Sequence, residues 1–378
     1  MSRLQTLPTE GHRFTDMGTG AMVRQVTHHP SVHHHPFYYL PAYDDAMERL
    51  FFVSHRTGRP EVWCEIRGTG ELQQLTNQPD LGEWSVHPSH DGRYVYYTAG
   101  TGAWRASTET CEAELLINFG AMAAHGVGMV GAAMGTTTLS YDDRYWAVPL
   151  KMGTMFRFFV IDTHSGTHEV ILERDTIGHP EFHPSDNTLL RYAGPYHSRI
   201  WVIGRDGSDN RLVYERKPYH EPPQFEWIVH ETWNPARPTE IITARWPHGC
   251  IGIDIRSGAT RPVCGFNTWH PAINRHGSLM CADTTFPDIG LQLFDPRDGV
   301  DAPRTLCYPA ASNEGKHWNT DHCPYDDEDY RQGKWKVYAP QHTHPHPSFA
   351  PDGSLIAFTS DRTGYSQVYE VAVTLPVP

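Results

Sequence analysis

Nothing in this sequence is both long and apolar. No run approaches the roughly 18 to 20 apolar residues that a membrane-spanning helix requires, so no membrane partner is expected. A disulfide frame is missing as well. The seven cysteines (Cys64, Cys111, Cys250, Cys264, Cys281, Cys307 and Cys323) are odd in number, scattered and never spaced Cys-x-x-Cys. That pattern reads as buried or free thiols in a reducing compartment. Positive charge is scarce: the formal net charge is −13, whereas a nucleic-acid surface needs a basic stripe, so nucleic acid is not an expected partner. The stretch from Met1 to Asp16 is polar and lacks the apolar segment of a secretory leader. These absences together predict a soluble cytoplasmic protein.

What is present fits a large β-fold. The chain has 378 residues, 39% hydrophobic and 12% aromatic, enough for a sizeable core. Its 32 glycines and 30 prolines suit many short strands joined by turns. A motif recurs along the chain: a short apolar stretch, a turn with Asp, Gly or Asn, an alternating strand, then a second strand. It is clearest at His346-Pro-Ser-Phe-Ala-Pro-Asp-Gly353, followed by Leu355 to Thr359 and Gln367 to Val373. Related turns stand at Asp44-Asp45, Asp91-Gly92, Asp142-Asp143, Ser185-Asp186, Pro235-Ala236 and His276-Gly277. Most steps between them are about 40 to 50 residues, the period of a four-stranded propeller blade. Seven copies predict an all-β, seven-bladed β-propeller forming a single domain over residues 1–378. The last step is longer by about 30 residues, which is assigned to an insertion at about 309–338. Copy one ends in an outer strand, Glu71-Leu-Gln-Gln-Leu-Thr76, that the last copy lacks, whereas Ala21-Met-Val-Arg-Gln-Val-Thr27 stands unused near the start. The N-terminal strand is therefore expected to complete the last blade and close the ring. A two-sheet sandwich would need no such complement.

Histidine is the compositional outlier, with 25 residues. Aligned on the turn, four consecutive copies carry histidine at one position: His179, His230, His270 and His346; copies one to three have Tyr38, Ser85 and Thr136 there. In a propeller that position opens the innermost strand, beside the central channel, so pseudo-symmetry gathers these imidazoles around one axis. Neutral imidazole is the commonest protein ligand for a divalent metal. Within Gln341-His-Thr-His-Pro-His346, the side chains of His344 and His346 share one side of an extended chain, while alternation alone does not bring Gln341 to it. Two plainer readings stand beside this one. His-Pro pairs can simply start strands with the histidine capping a turn, and a histidine-rich stretch can be a solvated loop, which is the reading favoured for His28, His29 and His33.

At these residues the chain resembles the oligogalacturonate lyases, propeller enzymes of intracellular pectin breakdown. Gln341-His-Thr-His-Pro-His-Pro-Ser-Phe349 is close to that family's Q-x-T-H-P-H-P-S-F, and Val229-His-Glu-Thr-Trp233 to its T-H-E-F-W. Weaker matches run along nearly the whole chain, among them Thr19-Gly-Ala21, Gly178-His-Pro180, Ser198-Arg-Ile-Trp201 and Asp206-Gly-Ser208. The resemblance implies metal ligands at His270, Gln341, His344 and His346, usually holding Mn²⁺, a catalytic base at His230 and an assisting arginine at Arg199. It implies β-elimination on short galacturonate oligosaccharides. His179 and His34 are further candidates for binding the sugar or finishing the channel wall, and aromatic residues such as Tyr38, Trp233 and Trp269 for stacking on sugar rings. Several departures stand out. The stretch from Arg199 to His230 is longer than in the family, with Arg205 and Arg211 inside it. Tyr192-Ala-Gly-Pro-Tyr196-His197 replaces a histidine-rich stretch, and the insertion adds His317 and His322. These changes keep two alternatives open: elimination on a different uronide, and a non-catalytic sugar- or protein-binding propeller. The expected oligomeric state is a monomer or a homodimer.

Overall fold

A computed structural model describes residues 4–120, 135–219, 224–297, 303–312, 320–334 and 343–373. These residues form seven antiparallel sheets, each with its strands in chain order from the inside outwards apart from the ring closure. The inner strands of blades four to six are Gly178–His183, Trp227–Trp233 and Thr268–Ile273, and that of blade seven is Ser348–Phe349. Blade one starts with His33–His34 and blades two and three with His87–Pro88 and Thr138–Leu139. The seven-bladed propeller expected from the repeat is the observed architecture.

Each sheet lies between two neighbours, so its middle strands are buried on both faces and need apolar residues nearly throughout. Leu355–Ser360 and Glu240–Trp246 are buried almost end to end, whereas the outer strand His168–Arg174 is mostly exposed. The core is accordingly divided into seven packed clusters, one between each pair of adjacent blades. Between blades five and six, Trp227 meets Trp269 edge-on at 4.9 Å and Trp246 at 5.5 Å. Aromatic side chains of this kind each bury about 150–250 Å², which at about 25 cal/mol per Å² is worth roughly 4–6 kcal/mol apiece before conformational entropy is counted. An eighth cluster, Phe37, Tyr38, Leu40, Trp84 and Ala272, fills the axis of the ring.

The ring closes as expected. Met22–Gln25 pairs with Gln367–Ala372 through Val23↔Val371, Arg24↔Glu370 and Gln25↔Tyr369, supplying the fourth strand of blade seven. The closure is doubled: His12–Thr15 adds a fifth strand to blade seven and Thr6–Leu7 a fifth to blade one. Arg24 donates to Glu370 at 2.7 Å and also pairs with Glu65 of blade one, and the hydroxyl of Tyr43 donates to Glu370 at 2.7 Å. One N-terminal segment thus fastens both sides of the seam. The seven cysteines are all free thiols and six of them are buried, as the scattered pattern implied. Among the described residues no helix is long and apolar enough to cross a membrane.

Part of the expected insertion is described. Residues 320–334 hold a 3-10 turn at Pro324–Asp326 and a short helix at Glu328–Arg331. Cys323 joins the apolar cluster between blades five and six, and its N–H donates to the Phe225 carbonyl at 2.8 Å. Asp326 pairs with Arg216 at 2.8 Å, and Tyr325 packs against Tyr196 at 5.0 Å. His317 lies outside the described residues.

Candidate metal centre

The histidines owe their orientation to breaks in strand pairing. In blade four the register runs Gly178↔Ala193 and then Glu181↔Arg191; in blade five, Val229↔Ala244 and then Glu231↔Thr243; in blade six, Thr268↔Thr284 and then Pro271↔Ala282. Each bulge falls at the aligned histidine. The backbone there is left-handed at three of the four positions, with φ of +45° at His179, +54° at His230 and +47° at His346. For a residue with a Cβ this conformation costs about 1–2 kcal/mol, and bulges recur where a side chain must be re-aimed. Side chains opposite satisfy the disrupted backbone: Arg191 donates to the His179 carbonyl at 2.9 Å and Thr243 to the Val229 carbonyl at 2.8 Å.

The imidazoles converge. The ring of His270 lies 4.1 Å from His230, 4.1 Å from His346 and 5.5 Å from His344. Potential ligand atoms of His270, His344 and His346 all fall within 4.8 Å of one another, and all three residues are buried. Phe37 stands among the rings, stacked on His179 at 4.8 Å and 5.1 Å from His346.

Hydrogen bonds select the nitrogens. Asp283 accepts the His270 backbone N–H at 2.7 Å and holds its Nδ1 at 2.8 Å, which leaves Nε2 as the lone-pair nitrogen. The indole N–H of Trp269 donates to His344 Nδ1 at 3.1 Å. The neutral ring then carries its proton on Nε2, so a metal at His344 would compete with Trp269 for Nδ1. His35 receives the Thr359 hydroxyl at Nδ1 (2.8 Å) and donates Nε2–H to the His346 carbonyl at 2.7 Å, bracing that residue from behind. Burial, followed by the neighbouring imidazoles, holds His346 well below the ordinary histidine pKa. A buried set of three imidazoles in reach of one point is a donor set that fits a borderline divalent cation. Gln341, the fourth expected ligand, lies outside the described residues.

His230 differs from its neighbours. Among the described residues its Nδ1 is buried without a hydrogen-bond partner. Its pKa is pushed well down, first by burial, then by His270 and by the Arg199 guanidinium. Arg199 donates Nε–H to Glu231 at 2.5 Å. Glu231 lies 3.8 Å from Arg191, a fully buried arginine that also pairs with Glu181 at 2.5 Å. Four alternating charges are thus linked from Arg199 to Glu181, three of them from blade four and one, Glu231, from blade five.

The remaining expected residues are placed as follows. His179 stacks on Phe37 inside the ring, 6.5 Å from His230. His34 is fully buried, stacked on Trp84 at 4.2 Å and bonded to Glu83 at 3.2 Å, and it forms wall beside the cluster. Tyr38 is corrected: it does not open an inner strand. Blade one pairs His34↔Val53 and next Tyr43↔Leu50, so the chain between leaves the sheet and drives Phe37 and Tyr38 into the axis. Tyr38 is 2% exposed and donates to the Glu231 carbonyl at 2.6 Å. Trp233 and Trp269, the other stacking candidates, are buried likewise. Tyr192 is also internal, in the core between blades three and four. Asp283, Glu231, Arg191 and Phe37 were not anticipated from the sequence. The repeat could have pointed to Arg191, Thr243 and Asp283, which sit on the second strand facing each bulge.

No model of a known protein family matches the chain. Two curated relatives do, over nearly their whole length. The oligogalacturonate lyase of Dickeya dadantii (strain 3937) is 24% identical over 406 aligned positions, covering 98% of this chain and 97% of the relative. The oligogalacturonide lyase of Pectobacterium atrosepticum is 23% identical over 403 positions, with the same coverage. Among solved structures, an oligogalacturonate lyase in complex with manganese superposes with a TM-score of 0.77 at 22% identity, over 99% of both chains. The oligogalacturonate lyase of Vibrio parahaemolyticus gives 0.75 at 20% identity, again over 99% of both. The resemblance read from the His-rich motif therefore extends along the full chain and its fold.

Proposed function

We propose that this protein is a manganese-dependent lyase that cleaves short galacturonate oligosaccharides by β-elimination. The observation that carries this reading is the cluster of His270, His344 and His346, with the His230 Nδ1, unbonded among the described residues, beside it and Arg199 on the adjoining glutamate. The full-length likeness to oligogalacturonate lyases, one of them in complex with manganese, supports it.

His270, His344 and His346 would hold the metal, with Gln341 as the fourth ligand the sequence implies. Once bound, it supplies Lewis-acid stabilisation to a uronate carboxylate, which makes the adjacent C5 proton easier to remove. His230 is kept neutral by burial and by its positive surroundings, so it accepts the C5 proton at physiological pH. Arg199, steered by Glu231, pairs with the substrate carboxylate or meets the O4 leaving oxygen. The C5–H and C4–O4 bonds break, a C4=C5 double bond forms, and the departing oxygen takes up a proton. His179 and His34 line the wall in this reading. Packing Phe37 and Tyr38 into the axis excludes water from beneath the reacting centre.

The test is a substrate panel. The protein, loaded with Mn²⁺, is incubated with di- and trigalacturonate and with other uronides, following absorbance of the conjugated product and a keto-uronate stain. Turnover of galacturonides supports the reading. Turnover of another uronide alone replaces the substrate, and silence on all of them in a metal-loaded sample leaves a binding propeller.

A further inference from the structure

We infer that Asp283 is the positioning residue of the metal centre, fixing which nitrogen of His270 faces the metal and tying His270 to His346. The inference rests on the metal reading above and adds a residue that ligates nothing itself. Asp283 lies on the second strand of blade six, Met280–Thr284, where the register jumps from Thr268↔Thr284 to Pro271↔Ala282. The jump deprives the His270 N–H of a ladder partner. The carboxylate supplies one: Oδ1 accepts that N–H at 2.7 Å, while Oδ2 faces His270 Nδ1 at 2.8 Å. Oδ2 also receives the His346 N–H at 3.3 Å, from the inner segment of the next blade. One fully buried side chain therefore spans two of the three candidate ligands, which enter from different blades.

Both oxygens act as acceptors, so an amide cannot replace the carboxylate. Asparagine presents one oxygen and one NH₂ group. If the NH₂ faces the His270 backbone, two N–H groups oppose each other. If it faces Nδ1, it donates there and forces the ring proton onto Nε2, blocking the ligand nitrogen. Carboxylate partners of metal-bound histidines are typically worth 10- to 100-fold in metal affinity.

Titration calorimetry of metal-stripped, full-length protein with MnCl₂ is the experiment. Asp283→Asn is expected to bind Mn²⁺ about 10- to 100-fold more weakly than wild type, with a melting temperature close to that of metal-stripped wild type. In a His270→Ala background the same substitution should add less than about threefold, because the ring whose tautomer Asp283 fixes is gone and only the longer bond to His346 is left to lose. Unchanged affinity in Asp283→Asn, against a wild type that binds Mn²⁺, overturns this inference alone. A wild type that takes up no divalent metal overturns it together with the metal reading. If Asp283→Asn does not fold, ¹⁵N-histidine spectra of metal-stripped wild type decide instead. A proton on His270 Nδ1 supports the inference, and a proton on Nε2 overturns it.

Discussion

His270 and the pair His344 and His346 arrive at one point from two separate chain segments, and all three are buried. Removing one imidazole from such a set removes a bond and leaves a hole that water fills poorly. His344→Ala and His346→Ala are each expected to lose bound metal, read as the metal-to-protein ratio after dialysis. His230→Ala is expected to retain the metal and lose about 10²- to 10⁴-fold in turnover, the usual worth of a positioned acid or base. Near-normal rates in that variant would end the assigned mechanism. Arg199→Lys should lower kcat by about tenfold or more, since the Nε–H that Glu231 grips is absent from an ammonium; kcat and KM measured separately check it. The histidine positions were legible because a period of 40 to 50 residues in the sequence sets them in one place on every blade. Asp283 was legible only in its place: the repeat sets it on the second strand facing the bulge, but its role follows from a register jump that composition and spacing do not encode. Tyr38 misled because copy one keeps the turn, but its inner strand breaks off after His34 and the chain rejoins the sheet only at Tyr43.

Strand pairing sets the next scale. The N-terminal segment was legible from a deficit at one end of the chain and a surplus at the other. What the sequence hid was the buried charge cluster at the seam. Glu65 and Glu370 have side chains only 1% and 3% exposed, and Arg24 bridges them from the closing strand. Arg24→Ala leaves both carboxylates under-compensated, and breaking a buried pair in this way typically costs about 3–5 kcal/mol. Arg67, which also pairs with Glu370, should place the loss near the lower bound. Urea denaturation of the variant and wild type measures it. The described part of the expected insertion tells a similar story. Its lack of strand period is consistent with the turn and short helix observed, and its anchoring on Cys323 and Asp326 depends on contacts with blades four and five that lie about 100 residues away in the chain.

Across the whole molecule, the histidine content links stability to acid. Burial pushes His33, His35 and His87 down to about 3, with Arg56 assisting at His33. In the unfolded chain the same rings titrate near 6.5. Between those values the unfolded state binds more protons, so stability rises with pH through the window and is lost as pH falls below about 6.5. Each ring contributes about 1.4 kcal/mol per pH unit, about 4 kcal/mol per unit for the three. Metal-stripped protein should therefore show a urea midpoint that drops steeply from pH 6.5 to 5 and is nearly flat from 7 to 8. A flat profile across the acid range would contradict the burial of these rings.

The aromatic cluster on the axis has a further effect on traffic. With Phe37, Tyr38, Leu40 and Trp84 packed across the middle, the ring is a cup with a floor. The shallow hollow of about 190 Å³ on the turn side, lined by Tyr38, Leu40 and Trp233 among others, lies beyond that floor. In the proposed reading a sugar chain is not threaded from one side to the other; it presents an end, reacts, and backs out by the way it came, which suits fragments of a few units better than an intact polymer.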